Sequence, residues 1–145
     1  MRGTVYAAKG EYDRAITDYD QAIHINPDDQ YVFISRGDAY GAKGNYDLAI
    51  ADYSYAIRTD PTDVYPLMQR GDAYMAKGDY SRALFDYDQV IRLRPGNGLA
   101  FFSRGVIHLA QGNRARGLAD IAEAKRLDPL INEEIRAYGR RKLTP

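Results

Sequence analysis

The sequence predicts an all-α protein built from four copies of a helix–turn–helix repeat, and three observations carry that expectation. Arg-Gly recurs at Arg2-Gly3, Arg36-Gly37, Arg70-Gly71 and Arg104-Gly105, a period of 34 residues. Two further columns keep the same step: Gly10, Gly44, Gly78 and Gly112, then Pro27, Pro61, Pro95 and Pro129. Between these punctuation points the apolar residues recur at helical spacing, and no stretch alternates with the period of two that a strand needs. A period of this size marks stacked supersecondary units, none of which buries its apolar face alone.

The first repeat covers 1–28. Met1 aligns with Ser35, Gln69 and Ser103, so its helix A lacks an opening turn, and the aromatic seen at Phe33 and Phe101 has no counterpart. That leaves two readings, a piece of a longer array or a native start with an exposed edge, of which we prefer the first. The second repeat, 29–62, shows the pattern in full. Phe33, Gly37 and Tyr40 share one face of helix A. Gly44 suits the left-handed residue that ends a helix. Tyr46, Ala49, Ile50, Tyr53, Ala56 and Ile57 resume the spacing as helix B, and Pro61 stops it by forcing its predecessor out of the α region.

In the third repeat, 63–96, Pro66 falls inside helix A. With Asp63 as N-cap it occupies the first turn, where a missing N–H breaks no intrahelical bond. The fourth repeat, 97–129, frays: His108, Arg114, Gly117 and Ile121 replace tyrosine, tyrosine, alanine and tyrosine. Terminal repeats are expected to be atypical. Leu130, Ile131, Ile135 and Tyr138 then form an apolar stripe, so 130–145 reads as a capping helix over 130–142 with a tail. Arg140, Arg141 and Lys142 would complement its dipole.

Glycine inside helix A costs roughly 1 kcal/mol relative to alanine. Gly3, Gly37, Gly71 and Gly105 are therefore expected where a neighbouring helix approaches closely. Ala15, Ala49 and Ala83 repeat that logic in helix B beside Tyr19, Tyr53 and Tyr87.

These columns resemble the tetratricopeptide repeat family: the Gly37 set, Tyr40 with Tyr6 and Tyr74, the Ala49 and Tyr53 sets, Ala22, Ala56 and Ala124, and the Pro61 set. The spelling Arg-Gly-x-x-Tyr-x-x-Lys-Gly-x-Tyr is similar to that of bacterial members. The resemblance covers nearly the whole chain. It implies a right-handed superhelical solenoid, with the A helices lining a concave groove that commonly binds peptides.

Composition excludes several alternatives. Twenty acidic and twenty basic side chains cancel, so no basic face points to nucleic acid or to an anionic membrane. With no cysteine there is neither a disulfide framework nor a thiolate metal site. The first residues lack the apolar core of a signal peptide, and no apolar run approaches the ~20 residues needed to span a bilayer. Asp18-Tyr-Asp20 and Asp86-Tyr-Asp88 look like a metal-binding D-x-D, but helical residues two apart point about 200° apart and do not share an ion easily. His24 and His108 have no ligand spacing, and Pro95-Gly96-Asn97-Gly98 lacks the lysine of a phosphate loop. We expect no enzyme, no cofactor and no metal.

Two sets of columns remain. Arg2, Arg36, Arg70 and Arg104 with Asp18, Asp52, Asp86 and Asp120 could be a charged ligand ladder; we expect instead a structural pairing from helix B to the next helix A, Asp18 to Arg36, Asp52 to Arg70 and Asp86 to Arg104. Helix A also carries a second apolar stripe. Tyr31, Ile34, Tyr65, Met68 and Phe102 are expected to be exposed in the groove, while Met75, Ala42, Ala76 and Ala110 are expected to pack between neighbouring A helices. Asp38 and Asp72 lie one repeat apart within this stripe. They would suit a lysine, an arginine or a free amine on an extended peptide, or else are solvated or paired locally. Family members that clamp a C-terminal carboxylate present lysine, arginine and asparagine there; Ile34, Ser35, Asp38, Tyr65 and Gln69 stand at the matching places here, and Asp38 would repel a carboxylate. The expected function is a non-catalytic protein-interaction module that takes a peptide in its groove, with Tyr31, Ile34, Asp38, Tyr65, Met68, Asp72 and Phe102 as site. The alternative is a self-associating scaffold, a homo-oligomer joined through the groove or the truncated N-terminal edge.

Overall fold

The computed structural model describes residues 2–132. Among them are eight α-helices, one 3-10 turn and no strand. The helices are α1 (Arg2–Ala8), α2 (Tyr12–Ile25), α3 (Gln30–Ala42), α4 (Tyr46–Thr59), α5 (Val64–Ala76), α6 (Tyr80–Leu93), α7 (Gly98–Ala110) and α8 (Arg114–Leu127), and the 3-10 turn is Pro129–Ile131. The chain is thus all-α, a series of helical hairpins.

Local chemistry sets each boundary. Gly10, Gly44, Gly78 and Gly112 adopt φ of +76° to +80° and close the turn from helix A to helix B, a conformation open to glycine without a Cβ penalty. Asn26, Asp60 and Asp128 fall into extended backbone directly before Pro27, Pro61 and Pro129 and end α2, α4 and α8. The next helix opens on a side-chain cap. Asp29 accepts from the Tyr31 N–H at 3.1 Å, Asp63 from Tyr65 at 2.9 Å and Asn97 from Ala100 at 3.0 Å. Pro66 accordingly lies in the first turn of α5, as its spacing from Asp63 predicts.

The contacts divide the chain into two compact units, 1–83 and 84–145. In the first, α1 packs on α2, α2 on α3, α3 on α4, α4 on α5, and α3 also touches α5. Its core includes Ala15, Tyr19, Val32 and Ala39, flanked by Tyr6, Tyr12 and Ile16. The glycines inside helix A make this packing possible. A Cβ on Gly37 would stand 2.8 Å from the Tyr53 ring, and one on Gly3 would meet the Tyr19 ring at the same distance. In the second unit α7 packs on α8, and α8 on the 3-10 turn. Here tyrosine is lost from helix B, and the backbones themselves close in: a Cβ on Gly105 would lie 2.9 Å from the Gly117 carbonyl oxygen, and one on Gly117 would lie 2.6 Å from Leu109. The fourth repeat therefore exchanges a ring-on-glycine contact for a glycine-on-glycine one.

The charged columns pair differently from the expectation. Asp18 joins Arg2, Asp52 joins Arg36 and Asp120 joins Arg104, all within one hairpin rather than across to the next. The second acid of each D-x-D makes the connection between hairpins: Asp20 accepts from Arg36 at 2.6 Å and Asp88 from Arg104 at 2.7 Å, while Ser54 accepts from Arg70 at 3.0 Å. The angular divergence of helical residues two apart explains the division, since Asp18 and Asp20 face different neighbours. Lys43 to Asp13 and Lys77 to Asp47 add a second line of ion pairs along the first unit.

Of the expected capping helix, only 130–132 fall within the described residues. Ile131 is 1% exposed and Asp128 caps the turn by accepting from the Leu130 N–H, but Leu130, assigned to the same buried stripe, is 83% exposed. The remainder of that stripe and the Arg140 to Lys142 cluster lie outside the described residues.

Candidate functional site

The second apolar stripe of helix A divides in a way the sequence did not indicate. Tyr31 (68% exposed) and Tyr65 (46%) are open, whereas Ile34 (8%), Met68 (6%) and Phe102 (8%) are buried. The expected groove exposure of Ile34, Met68 and Phe102 is therefore corrected. In the first unit the reason is the contact of α3 with α5: helix A packs on the next helix A as well as on helix B, so two of its faces are covered. The opposite correction applies to Ala42, Ala76 and Ala110, which are exposed. They are the last residues of α3, α5 and α7, at the mouth of the turn.

Asp38 and Asp72 are both part-buried. The capped first turn of α5 carries Tyr65 across to α3, where its hydroxyl donates to Asp38 Oδ2 at 3.0 Å. From α4, Tyr53 donates to Asp38 Oδ1 at 2.8 Å. Burial pushes the Asp38 carboxyl above the usual carboxylate range, and the two phenols pull the other way; among the described residues no basic side chain pairs with it. Burial also raises the Tyr53 and Tyr65 hydroxyls, Tyr65 to about 12, and the negative charges of Asp38 and Asp72 add to both. Asp38, Tyr53, Tyr65 and Asp72 thus form one electrostatic group. Its two phenols remain neutral at ordinary pH, so they screen the carboxylates without cancelling their charge.

Two recesses open beside this group. One, of about 250 Å³, is lined by Asp38, Ser35, Ala39, Tyr12 and Tyr19; the other, of about 260 Å³, by Asp72, Gln69, Ala73, Tyr46 and Tyr53. Each combines a carboxylate from one helix A with two tyrosines of the preceding helix B. The carboxylate supplies charge for a cation, and because Tyr19 and Tyr53 are almost fully buried only the part-buried Tyr12 and Tyr46 could offer it a ring face. Among the described residues no group of three or more histidine and acidic side chains could hold a metal ion.

Of the seven residues expected in the site, the structure brings Asp38 and Tyr65 into direct contact and places Asp72 beside them, with Tyr31 open on α3. Tyr12, Tyr46 and Tyr53 were missed. They stand in repeated columns that read as packing, and the overlooked signal was that the Tyr12 and Tyr53 columns recur in phase with the carboxylate column.

Comparison with known proteins gives the fold an independent footing. A model described as "TPR repeat" matches residues 3–44 and 37–76, and one described as "Tetratricopeptide repeat" matches 68–130. No curated protein matches the chain. Among solved structures, "MamA MSR-1 C2" is similar over 88% of this chain and 73% of its own, at 23% identity and a TM-score of 0.79. "Crystal structure of MamA protein" covers 90% of this chain and 72% of that one, at 19% identity and a TM-score of 0.82. "First TPR of Spaghetti (RPAP3) bound to HSP90 peptide SRMEEVD" covers 77% and 88%, at 26% identity and a TM-score of 0.73.

Proposed function

Because the chain belongs to the tetratricopeptide repeat family, we propose that it is a non-catalytic interaction module and that the open face of α1, α3 and α5 in its first unit binds a peptide carrying a basic side chain. One observation carries the second half of this reading. Asp38 is a part-buried carboxylate held by two neutral phenols, and among the described residues no cation pairs with it. A buried charge without a counter-charge is unfavourable, and a ligand that brings an ammonium or a guanidinium removes that penalty on binding. Each Asp38 oxygen accepts one phenol, so each keeps capacity for a second donor, as a bidentate arginine requires. Tyr65, bonded to Asp38, and Tyr31, about two turns earlier on α3, would supply exposed aromatic contact.

The related structure solved with the peptide SRMEEVD supports a similar scaffold taking a short peptide. The face here carries the carboxylates of Asp38 and Asp72, and a partner of opposite charge should suit it. Fluorescence anisotropy would compare a labelled, end-blocked peptide with an arginine and no acidic residue, a labelled SRMEEVD peptide, whose one arginine is outweighed by three acidic side chains, and an uncharged control. Preference for the arginine peptide, weakened in Asp38→Asn, supports the reading. Equal binding of all three, or preference for SRMEEVD, would count against it.

A further inference from the structure

The two recesses beside Asp38 and Asp72 are copies of one another, displaced by one repeat. Tyr12 corresponds to Tyr46, Tyr19 to Tyr53, Ser35 to Gln69, Asp38 to Asp72 and Ala39 to Ala73, each 34 residues on, and the cavity volumes agree, about 250 and 260 Å³. Repetition of a packing residue needs no ligand. What is repeated here is an open recess, with a part-buried carboxylate at one wall and two tyrosines at the other.

We propose that the partner segment carries two basic side chains three residues apart in a polyproline-type extended backbone, one entering each recess. This rests on the peptide-binding reading above and specifies its ligand. The spacing follows from the packing. Asp38 and Asp72 hold the same register on α3 and α5, which are in contact, and packed helices lie roughly 8–10 Å apart. A polyproline-type chain rises about 3.1 Å per residue with three residues per turn. Side chains at i and i+3 therefore point the same way, roughly 9 Å apart. A β-extended chain presents same-face side chains only about 7 Å or 13 Å apart, which undershoots or overshoots. Tyr19 and Tyr53 are buried, but the part-buried Tyr12 and Tyr46 favour arginine, whose planar guanidinium stacks on a ring while pairing with a carboxylate. Tyr53 couples the two positions, because it bonds Asp38 in one recess and lines the other.

The test uses the whole chain and labelled, end-blocked peptides: one with a single arginine, and three with two arginines separated by one, two or three prolines. Anisotropy at low salt should show the two-proline spacer binding about tenfold tighter than the single-arginine peptide, the scale of one added charge-assisted bond. The other spacers should show little gain. In Asp72→Asn, with folding checked by helicity and melting, that tenfold gain should vanish while single-arginine binding persists. If the single-arginine peptide binds as tightly as the double one, or all spacers gain equally, the paired-recess proposal is overturned and the peptide-binding reading stands. If no arginine peptide binds, the peptide-binding reading fails and takes this proposal with it.

Discussion

Gly37→Ala isolates the contact on which the site depends. A Cβ there would stand 2.8, 3.1 and 3.2 Å from Cε1, Cδ1 and Cζ of Tyr53, where carbon pairs prefer about 3.5–4.0 Å. The ring has little freedom to yield, since Tyr53 is 2% exposed and its hydroxyl is bonded to Asp38. Overpacking of this kind costs about 1–3 kcal/mol, against a gain of about 1 kcal/mol from replacing glycine by alanine in a helix. The net expectation is a loss of up to about 2 kcal/mol. At about 3–4 °C per kcal/mol for a chain of this size, the melting midpoint falls by up to about 8 °C. Gly41→Ala in the same helix is the control. Its Cβ would lie 3.7 Å from the Tyr53 hydroxyl oxygen, an ordinary contact, so only the helix-propensity gain of up to about 1 kcal/mol remains and the midpoint rises. Thermal unfolding followed by circular dichroism reads both variants. If Gly37→Ala melts at or above the unmodified chain, the close-approach argument is wrong. Displacing the ring should also weaken binding of an arginine peptide, through the Tyr53–Asp38 bond.

Three further outcomes are expected. Asp52→Ala, which leaves the half-buried Arg36 with Asp20 alone, should lower stability by about 1–3 kcal/mol, whereas Asp20→Ala, at an exposed position, should cost under about 1 kcal/mol; equal melting of the two variants would refute the division of roles. Because burial raises the Asp38 carboxyl, its charge is lost on acidification at a pH above the ordinary aspartate value of 3.8, and arginine-peptide affinity should fall there in the unmodified chain but stay flat in Asp38→Asn. The same shift means that Asp38 contributes stability fully below its ordinary value, and that this contribution is lost as pH rises through the raised one. The Tyr65 hydroxyl, pushed from 10.0 to about 12, contributes stability below pH 10 that is lost as pH rises towards 12, so a tyrosinate absorbance titration should show a late component reduced in Tyr65→Phe. A single transition near pH 10 in both proteins would contradict the placement of Tyr65.

Much of the fold was legible because its determinants are local. The left-handed turn at Gly44 needs a residue without a Cβ, the end of α4 needs the proline that follows Asp60, and the start of α5 needs the Asp63 carboxylate over its first N–H groups. Each is a requirement of a few consecutive residues, repeated four times in register. The candidate site was legible only as a face. Asp38, Asp72, Tyr31 and Tyr65 were singled out because they share a stripe of helix A, but that stripe looks uniform in sequence while the neighbouring helix A covers Ile34 and Met68 and leaves Tyr31 and Tyr65 open. The Arg–Asp columns show the same limit. The arginines and one carboxylate column were identified, but Asp52 pairs within its own hairpin, and the bond to the next comes from Asp20, which was not read as an arginine partner; periodicity alone assigns neither.

By itself, then, the sequence determined the repeat, its helices and turns, and the residue types on each face, because helix periodicity and backbone conformation are properties of short stretches of chain. Tertiary packing alone decided which stripe residues are covered, which carboxylate each arginine takes, and that the Tyr53 and Tyr65 hydroxyls converge on Asp38 from α4 and α5. Those outcomes depend on distances between residues 15 and 27 positions apart, and such distances exist only once the hairpins have docked.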